Sequence, residues 1–230
     1  MRSIILASAS PRRNDLLRHL LGDSFTVEAS GFDESGPLPA DPILHVLASS
    51  LGKARDVAER LGKLEIADTA DSHRPKADPI IIGAGLIIIG ADTIVVLGGA
   101  ILGKPHTPER ATEMLGMISG RVVEVITGIT VINRENVCGV EEGCGELQTH
   151  ELTKVFMKEL DEQTIRDYVV TGEPLDKAGA FGIQGEGGAL VDRIEGDYFN
   201  VVGLPLVALA ELLRQAGVEV NEPLPIAEHH

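Results

Sequence analysis

Apolar residues along this chain alternate between short continuous runs, which suit buried strands, and spacings of three and four, which suit helices lying on a core. Residues 4–7 form the first run, and Leu16, Leu17 and Leu20 follow at helical spacing behind Ser10-Pro11, a favoured cap and first-turn pair. Residues 25–29 read as a second strand. A Gly/Pro-rich loop at 31–42 carries Asp33 and Glu34, and Asp41-Pro42 then opens a helix with Leu44, Leu47, Leu51, Ala54, Val57, Ala58 and Leu61 on one stripe, Lys53 and Arg55 lying nearer its polar side. Residues 62–79 are polar and punctuated by Pro75 and Pro79, so they predict an exposed loop. The Ile-rich segment after them holds a short echo, Ile-Ile-Ile-Gly-Ala at 80–84 and again at 87–91, and predicts a buried strand that Gly98-Gly99 turns back. Thr107-Pro108 caps a helix with Ala111, Met114, Leu115 and Ile118 inward, closed by Ser119-Gly120. A long β-rich run at 121–132 pairs, through a polar Gly-rich connection at 133–145, with a partner at 147–157. Asp161 caps a helix that buries Ile165, Tyr168 and Val169, and Gly172 ends it. Two apolar runs, 189–194 and 198–202, flank the turn Glu195-Gly196-Asp197, and Pro205 starts a last helix along Leu206, Leu209, Leu212 and Leu213. This alternation predicts one α/β or mixed α+β domain over 1–220 with a tail at 221–230, since no linker splits it.

Charge contradicts local structure at one place. The first turn of a helix exposes unpaired N–H groups and the positive end of the dipole, so acidic residues belong there, yet Arg12 and Arg13 follow Ser10-Pro11. Two guanidinium groups beside free donors suit phosphate oxygens; a solvated pair flanking a cap is the bland alternative. Asp92 follows a fully apolar run and precedes Thr93, which puts a carboxylate near the end of a buried strand, where ligand sites gather in α/β sheets. A general base, an Mg²⁺ ligand and a structural Asp capping a loop all fit that position. Lys104, between Gly103 and Pro105, has a fixed backbone and a side chain able to reach phosphate. Asp176-Lys177 leads into the Gly-spaced run to Gly185, where backbone allows close approach of a ligand and Gln184 offers both donor and acceptor to the edge of a planar base. A Gln that satisfies turn backbone is the alternative there. The P-loop, complete dinucleotide, H-E-x-x-H and G-x-S-x-G patterns are all missing, and the seven histidines are scattered enough to read as surface or core residues.

Composition narrows the ligand. A formal charge of -15 leaves no broad basic face for nucleic acid, and 3% aromatic residues with no Trp disfavour stacking on single strands, so any phosphate ligand is small. Cys138 and Cys144 sit in a polar Gly-rich stretch and fit neither a disulfide framework nor a zinc site. The first residues lack the pattern of a signal peptide, and Asp92 and Thr93 interrupt the apolar segment 79–97 before it could span a bilayer. A cytoplasmic protein without membrane partners is the expectation; His229-His230 is ambiguous between natural residues and an added tag.

The segments Leu6 through Ser10-Pro11-Arg12-Arg13, Gly90-Ala91-Asp92-Thr93, Leu102-Gly103-Lys104-Pro105, Ser119-Gly120-Arg121 and Asp176-Lys177-Ala178-Gly179 through Gly185 resemble, in order and at compatible spacing, the Maf family of nucleoside triphosphate pyrophosphatases. The resemblance implies an inosine triphosphatase-like fold, an elongated mixed sheet flanked by helices with a central cleft between two lobes. It implies hydrolysis of a nucleoside triphosphate to monophosphate and pyrophosphate with a divalent metal cation, Mg²⁺ or Mn²⁺, and, by analogy alone, a homodimer. Asp92 matches the proton acceptor, Lys53 and Lys104 the catalytic cations, and Ser10, Arg12, Arg13, Asp176 and Lys177 substrate-contacting positions. Glu34 matches an acidic position that shares metal with Asp92; a metal-bound Asp92 orients water rather than acting as a strong base. Thr93 and Gln184, with Arg12, resemble the subgroup acting on dTTP and UTP, with modified pyrimidine nucleotides a further candidate class. The segments 62–86 and 133–145 look longer than the family needs and are expected to leave the cleft intact. A noncatalytic nucleotide-binding regulator of septum formation is the competing function. A generic sugar-nucleotide or cofactor-binding protein is disfavoured by the missing fingerprint.

Overall fold

A computed structural model describes residues 3–34, 36–70, 85–134 and 145–220, with residues 62–70 described by backbone only. The first Ile-Gly-Ala unit, both cysteines and the terminal histidines lie outside the described residues. Strands β1 (Ser3–Leu6), β2 (Thr26–Val27), β3 (Leu86–Leu97), β4 (Ala100–Leu102), β5 (Val122–Asn133), β6 (Glu146–Met157) and β7 (Val191–Glu195) form one mixed sheet in the order β2-β1-β3-β5-β6-β7, with β4 also on β3. Helices α1 (Pro11–Leu21), α2 (Pro42–Ala70), α3 (Pro108–Ile118), α4 (Glu162–Val170), α5 (Tyr198–Val202) and α6 (Leu206–Gln215) flank it.

The two faces of β3 are covered differently because its side chains alternate. Ile88, Ile94 and Val96 point toward α2, which lies along β3 and β5. Residues Ile87, Ile89 and Ala91 join a cluster with α1 and α6, whereas Val95 and Leu97 join a separate cluster with α3 and α4. The apolar core is therefore broken at Asp92 and Thr93 on both faces. These two clusters are the lobes, and the break between them is the cleft.

The edge of β3 is broken at the same place. Parallel β1 pairs with Leu86–Ile89, antiparallel β4 pairs with Val95–Leu97, and β5 occupies the opposite edge throughout. From Gly90 to Ile94 no described strand lies on the outer edge. A ligand entering there reaches side chains from both faces of one strand.

Helix α2 corrects two expectations. It continues through Gly62 to Ala70, so the predicted loop at 62–79 begins at least nine residues late. Its inward face is also rotated: Leu44 is 56% exposed, and Val46, Ser49, Ser50, Lys53, Ala54, Val57 and Leu61 are buried. Close packing selects that face, since a Cβ at Gly90 would fall 2.2 Å from the Ser50 carbonyl oxygen and one at Gly128 2.5 Å from that of Val46. Lys53 is consequently a core residue rather than a polar-face one, and two carboxylates make its burial tolerable. The caps of α3 and α4 form as expected, Thr107 accepting from the Arg110 N–H and Asp161 from that of Thr164. Of the runs beside the 195–197 turn, the first is β7 and the second is α5.

Candidate active site

Ser10, Arg12, Arg13, Glu34, Lys53, Asp92, Thr93, Lys104, Asp176, Lys177 and Gln184 all line one cavity of about 790 Å³ at the open edge of β3. Every site residue expected from the sequence is thus brought to one place.

On the α2 face, the Lys53 ammonium donates to Asp92 Oδ1 at 2.6 Å and to Glu34 Oε1 at 2.7 Å. Burial pushes the Asp92 carboxyl up, but the charge and hydrogen bond of Lys53 and the charge of Arg13 outweigh it, so Asp92 stays below the usual carboxylate range. It is ionised at neutral pH. Glu34 reaches the cluster from a loop whose base is pinned to α2: Asp56 accepts from the Gly31 N–H at 2.8 Å and from the Ser30 hydroxyl at 3.2 Å, and Arg60 bonds Asp56 and the Ala29 carbonyl.

On the other face, Arg13 is fixed by protein acceptors. Its Nε donates to the Gly203 carbonyl at 2.8 Å, Nη2 to the Thr93 hydroxyl at 2.9 Å and Nη1 to Ser8 Oγ at 3.4 Å. Burial pulls its pKa down against the raising charges of Asp92 and Glu34, and two of its five N–H groups have no acceptor among the described residues. Thr127 donates to the Asn200 carbonyl at 3.2 Å, and the single Thr93 proton is shared between Thr127 Oγ1 at 2.9 Å and the Gly203 carbonyl at 3.4 Å. The Thr93 hydroxyl is therefore already engaged by Arg13, Thr127 and Gly203. Asn200 is itself anchored in the sheet, donating to the Val125 carbonyl and Thr153 Oγ1, and this fixes α5 and delivers Gly203 to Arg13.

Ser10 occupies the N-cap position of α1 with extended backbone, yet its side chain makes no capping bond. The residue lines the cavity. Lys104 is exposed on the loop after β4, and Gln184 is exposed in the loop after Phe181. Lys177 pairs with Asp176; burial raises the Asp176 carboxyl, and the bond and charge of Lys177 with the charge of Arg12 lower it past that, leaving it depressed.

Some lining residues were not read from the sequence. Ser8, 7% exposed, accepts from both the Ser10 N–H and Arg13; its place two residues before Ser10 was the available signal. His45 and His106, which their scattered placement in the sequence reads as surface or core residues, also line the cavity. His106 has left-handed backbone at φ 62° and donates its N–H to the Leu175 carbonyl, tying the Lys104 loop to the Asp176 turn. Gly203 contributes through its carbonyl alone and left no sequence signal.

The family model described as Maf-like protein matches residues 3–216. The chain belongs to the Maf family. Among the curated relatives of this Maf chain, a dTTP/UTP pyrophosphatase of Methanosarcina mazei is 44% identical over 96% of the chain and 97% of its own length. Another of that name from Methanosarcina barkeri is 46% identical over 96% and 98%, and one from Methanococcoides burtonii 44% over 96% and 98%. A solved nucleoside-triphosphatase / dITP/XTP pyrophosphatase from Mycobacterium abscessus shares 12% identity over 69% of this chain and 75% of that one, with a TM-score of 0.35, too slight a likeness to bear on the fold.

Among the described residues, no group of three or more His, Cys, Asp or Glu forms a metal cage. The donor set nevertheless fits Mg²⁺ or Mn²⁺, because such ions are typically held by one or two carboxylates and completed by substrate phosphates. Asp92 and Glu34 converge on one ammonium and so present two carboxylates to one end of the cavity. Among the described residues, no helix is long and apolar enough to cross a membrane.

Proposed function

We propose that this Maf protein hydrolyses dTTP and UTP in the cytoplasm, each to its monophosphate and pyrophosphate, by attack of water at the α-phosphorus. The observation that carries this is the convergence, at one gap in the sheet, of an ionised Asp92, a cationic cradle of Arg12, Arg13, Lys53 and Lys104, and Gln184. The names of the curated relatives point to the same substrates.

In this mechanism Arg12, the two spare N–H groups of Arg13, and Lys104 hold the triphosphate oxygens and place the α-phosphorus beside Asp92. Positioning and charge stabilisation supply most of the barrier reduction in phosphoryl chemistry. Asp92 orients the attacking water and accepts its proton as the new P–O bond forms; the bond to the bridging oxygen breaks, and its electron pair leaves with pyrophosphate. Its depressed pKa makes it a better orienter than base. Lys53 holds Asp92 and Glu34 together against their mutual repulsion. When bound, a divalent cation held by Asp92 and Glu34 supplies further charge neutralisation on the triphosphate. Gln184 pairs with the O4 and N3–H edge of uracil or thymine, an acceptor and donor that one amide complements. Thr93 shapes selectivity through Arg13, because its hydroxyl is already engaged.

The test is pyrophosphate release from a panel of nucleoside triphosphates with Mg²⁺ or Mn²⁺. Turnover of dTTP and UTP that disappears in Asp92→Asn supports the reading. Binding of triphosphate without release of pyrophosphate would support a noncatalytic regulator in its place.

A further inference from the structure

The loop that carries Gln184 is wrapped around a carboxylate that does not line the cavity. Glu173 opens the turn Glu173–Asp176. Its Oε1 accepts from the Tyr168 hydroxyl at 2.9 Å and from the Gly187 N–H at 3.2 Å, and its Oε2 accepts from the Glu186 N–H at 2.8 Å. The Tyr168 hydroxyl in turn accepts from the Gly182 N–H at 3.2 Å. Backbone on both sides of Gln184 is thereby tied to one Glu–Tyr pair. The fit is tight: a Cβ on Gly185 would lie 2.2 Å from Glu173 Oε2, and one on Gly187 would lie 2.4 Å from the Tyr168 hydroxyl.

Gln184 itself has no hydrogen bond to a described residue, so its place is set by the backbone that carries it. Burial first, then the hydrogen bond and charge of Glu173, push the Tyr168 phenol up, which keeps it a donor at any working pH. Tyr168 packs its ring in the α3–α4 core, and Lys177 donates to the Glu173 carbonyl at 3.3 Å. The same post therefore steadies a second segment of the cavity wall.

We propose that Glu173 is the positioning residue for base choice, holding Gln184 at the cavity through the 182–187 backbone with Tyr168 as its second post. This rests on the reading that Gln184 meets the base of a pyrimidine nucleoside triphosphate. Three donors converge on an anion here, and such charge-assisted bonds are roughly twice as strong as neutral ones. A Gln at this position keeps the volume but turns one acceptor into a donor facing an N–H.

The experiment compares Glu173→Gln, Tyr168→Phe, Gln184→Ala and the Glu173→Gln/Gln184→Ala double variant with wild type. Steady-state hydrolysis of dTTP and dGTP gives the selectivity ratio, and inhibition by inorganic triphosphate gives the affinity of the phosphate end. We expect the dTTP-over-dGTP ratio of kcat/KM to fall about tenfold in Glu173→Gln and about threefold in Tyr168→Phe, with triphosphate inhibition within about twofold of wild type. The double variant should be no less selective than Gln184→Ala alone, because both changes remove one interaction. An unchanged ratio in the folded single variants, or additive losses in the double variant, would overturn the proposal. Should Glu173→Gln fail to fold, Tyr168→Phe, which preserves the packed ring, decides the question alone. If wild type binds dTTP without hydrolysing it, the hydrolytic reading falls, and the same ratio is read from dissociation constants measured by calorimetry.

Discussion

The two faces of β3 at Asp92 and Thr93 are one residue apart and chemically opposite. Toward α2, Asp92, Lys53 and the half-exposed Glu34 form a compact carboxylate–ammonium–carboxylate group held by ion pairs. Toward α5, the partners of Thr93 are the Thr127 hydroxyl, the Gly203 carbonyl and a single cation, Arg13. A buried ionic group tolerates no missing partner, because removing one leaves an uncompensated charge. A chain of hydroxyls and carbonyls holds one geometry and loses less when a link is cut. The strand's period of two lets a single dipeptide serve both, charge where bonds change and fixed dipoles where an arginine must be aimed.

The largest break comes from Asp92→Asn, which should lower kcat by about 10³-fold in pyrophosphate-release assays, within the range of a positioned proton acceptor. A loss under tenfold would mean the charged face is not where the chemistry occurs. Next comes Lys53→Met, which breaks the buried Lys53–Asp92 pair and should destabilise by about 3–5 kcal/mol. A thermal melt lowered by roughly 10 °C reads this, given about 2–4 °C per kcal/mol for a chain of this size. On the neutral face, Thr93→Val strands one Arg13 N–H and should cost about 1–3 kcal/mol of stability. Its kinetic signature is a KM raised about fivefold with kcat nearly kept; a collapse of kcat instead would show that the two faces act as one. The smallest effect is in pH. Since the folded Asp92 titrates below its ordinary 3.8, its contribution to stability is fully present above about pH 3.8 and is lost as pH falls through the folded value. Urea unfolding from pH 5 to 8 should therefore show no slope from Asp92, and the difference between wild type and Asp92→Asn should shrink only on acidification below that window.

Legibility followed the range of the interactions. The caps at Thr107 and Asp161 and the turn at Gly98-Gly99 depend on neighbours within a few residues, and they formed where the sequence placed them. Arg12 and Arg13 were readable because a local rule was broken, and Asp92 because an apolar run was interrupted. Lys53 misled because helix periodicity reports the average apolar direction, whereas Gly90 and Gly128, far away in sequence, draw the Ser49-Ser50-Lys53 side onto the sheet. Leu44 misled for the same reason. The carbonyl of Gly203, aimed at a guanidinium 190 positions away, has no side chain to announce it. Glu173 lies three residues before the Asp176–Gly185 segment that carries the family resemblance, and its role depends on Tyr168 and on three glycine positions closing around it.

The gap in β3 has a further consequence for anyone wishing to block this protein. The Ile89 carbonyl points outward and accepts from the Ala7 N–H, so by strand alternation the backbone amide and carbonyl of Thr93, a residue that lines the cavity, face that same side, whereas Ala91 between them is fully buried. An inhibitor therefore need not imitate a triphosphate. A compact scaffold seated on the Thr93 backbone, with one cation turned toward Asp92 and one acceptor turned toward Arg13, would address the two faces separately.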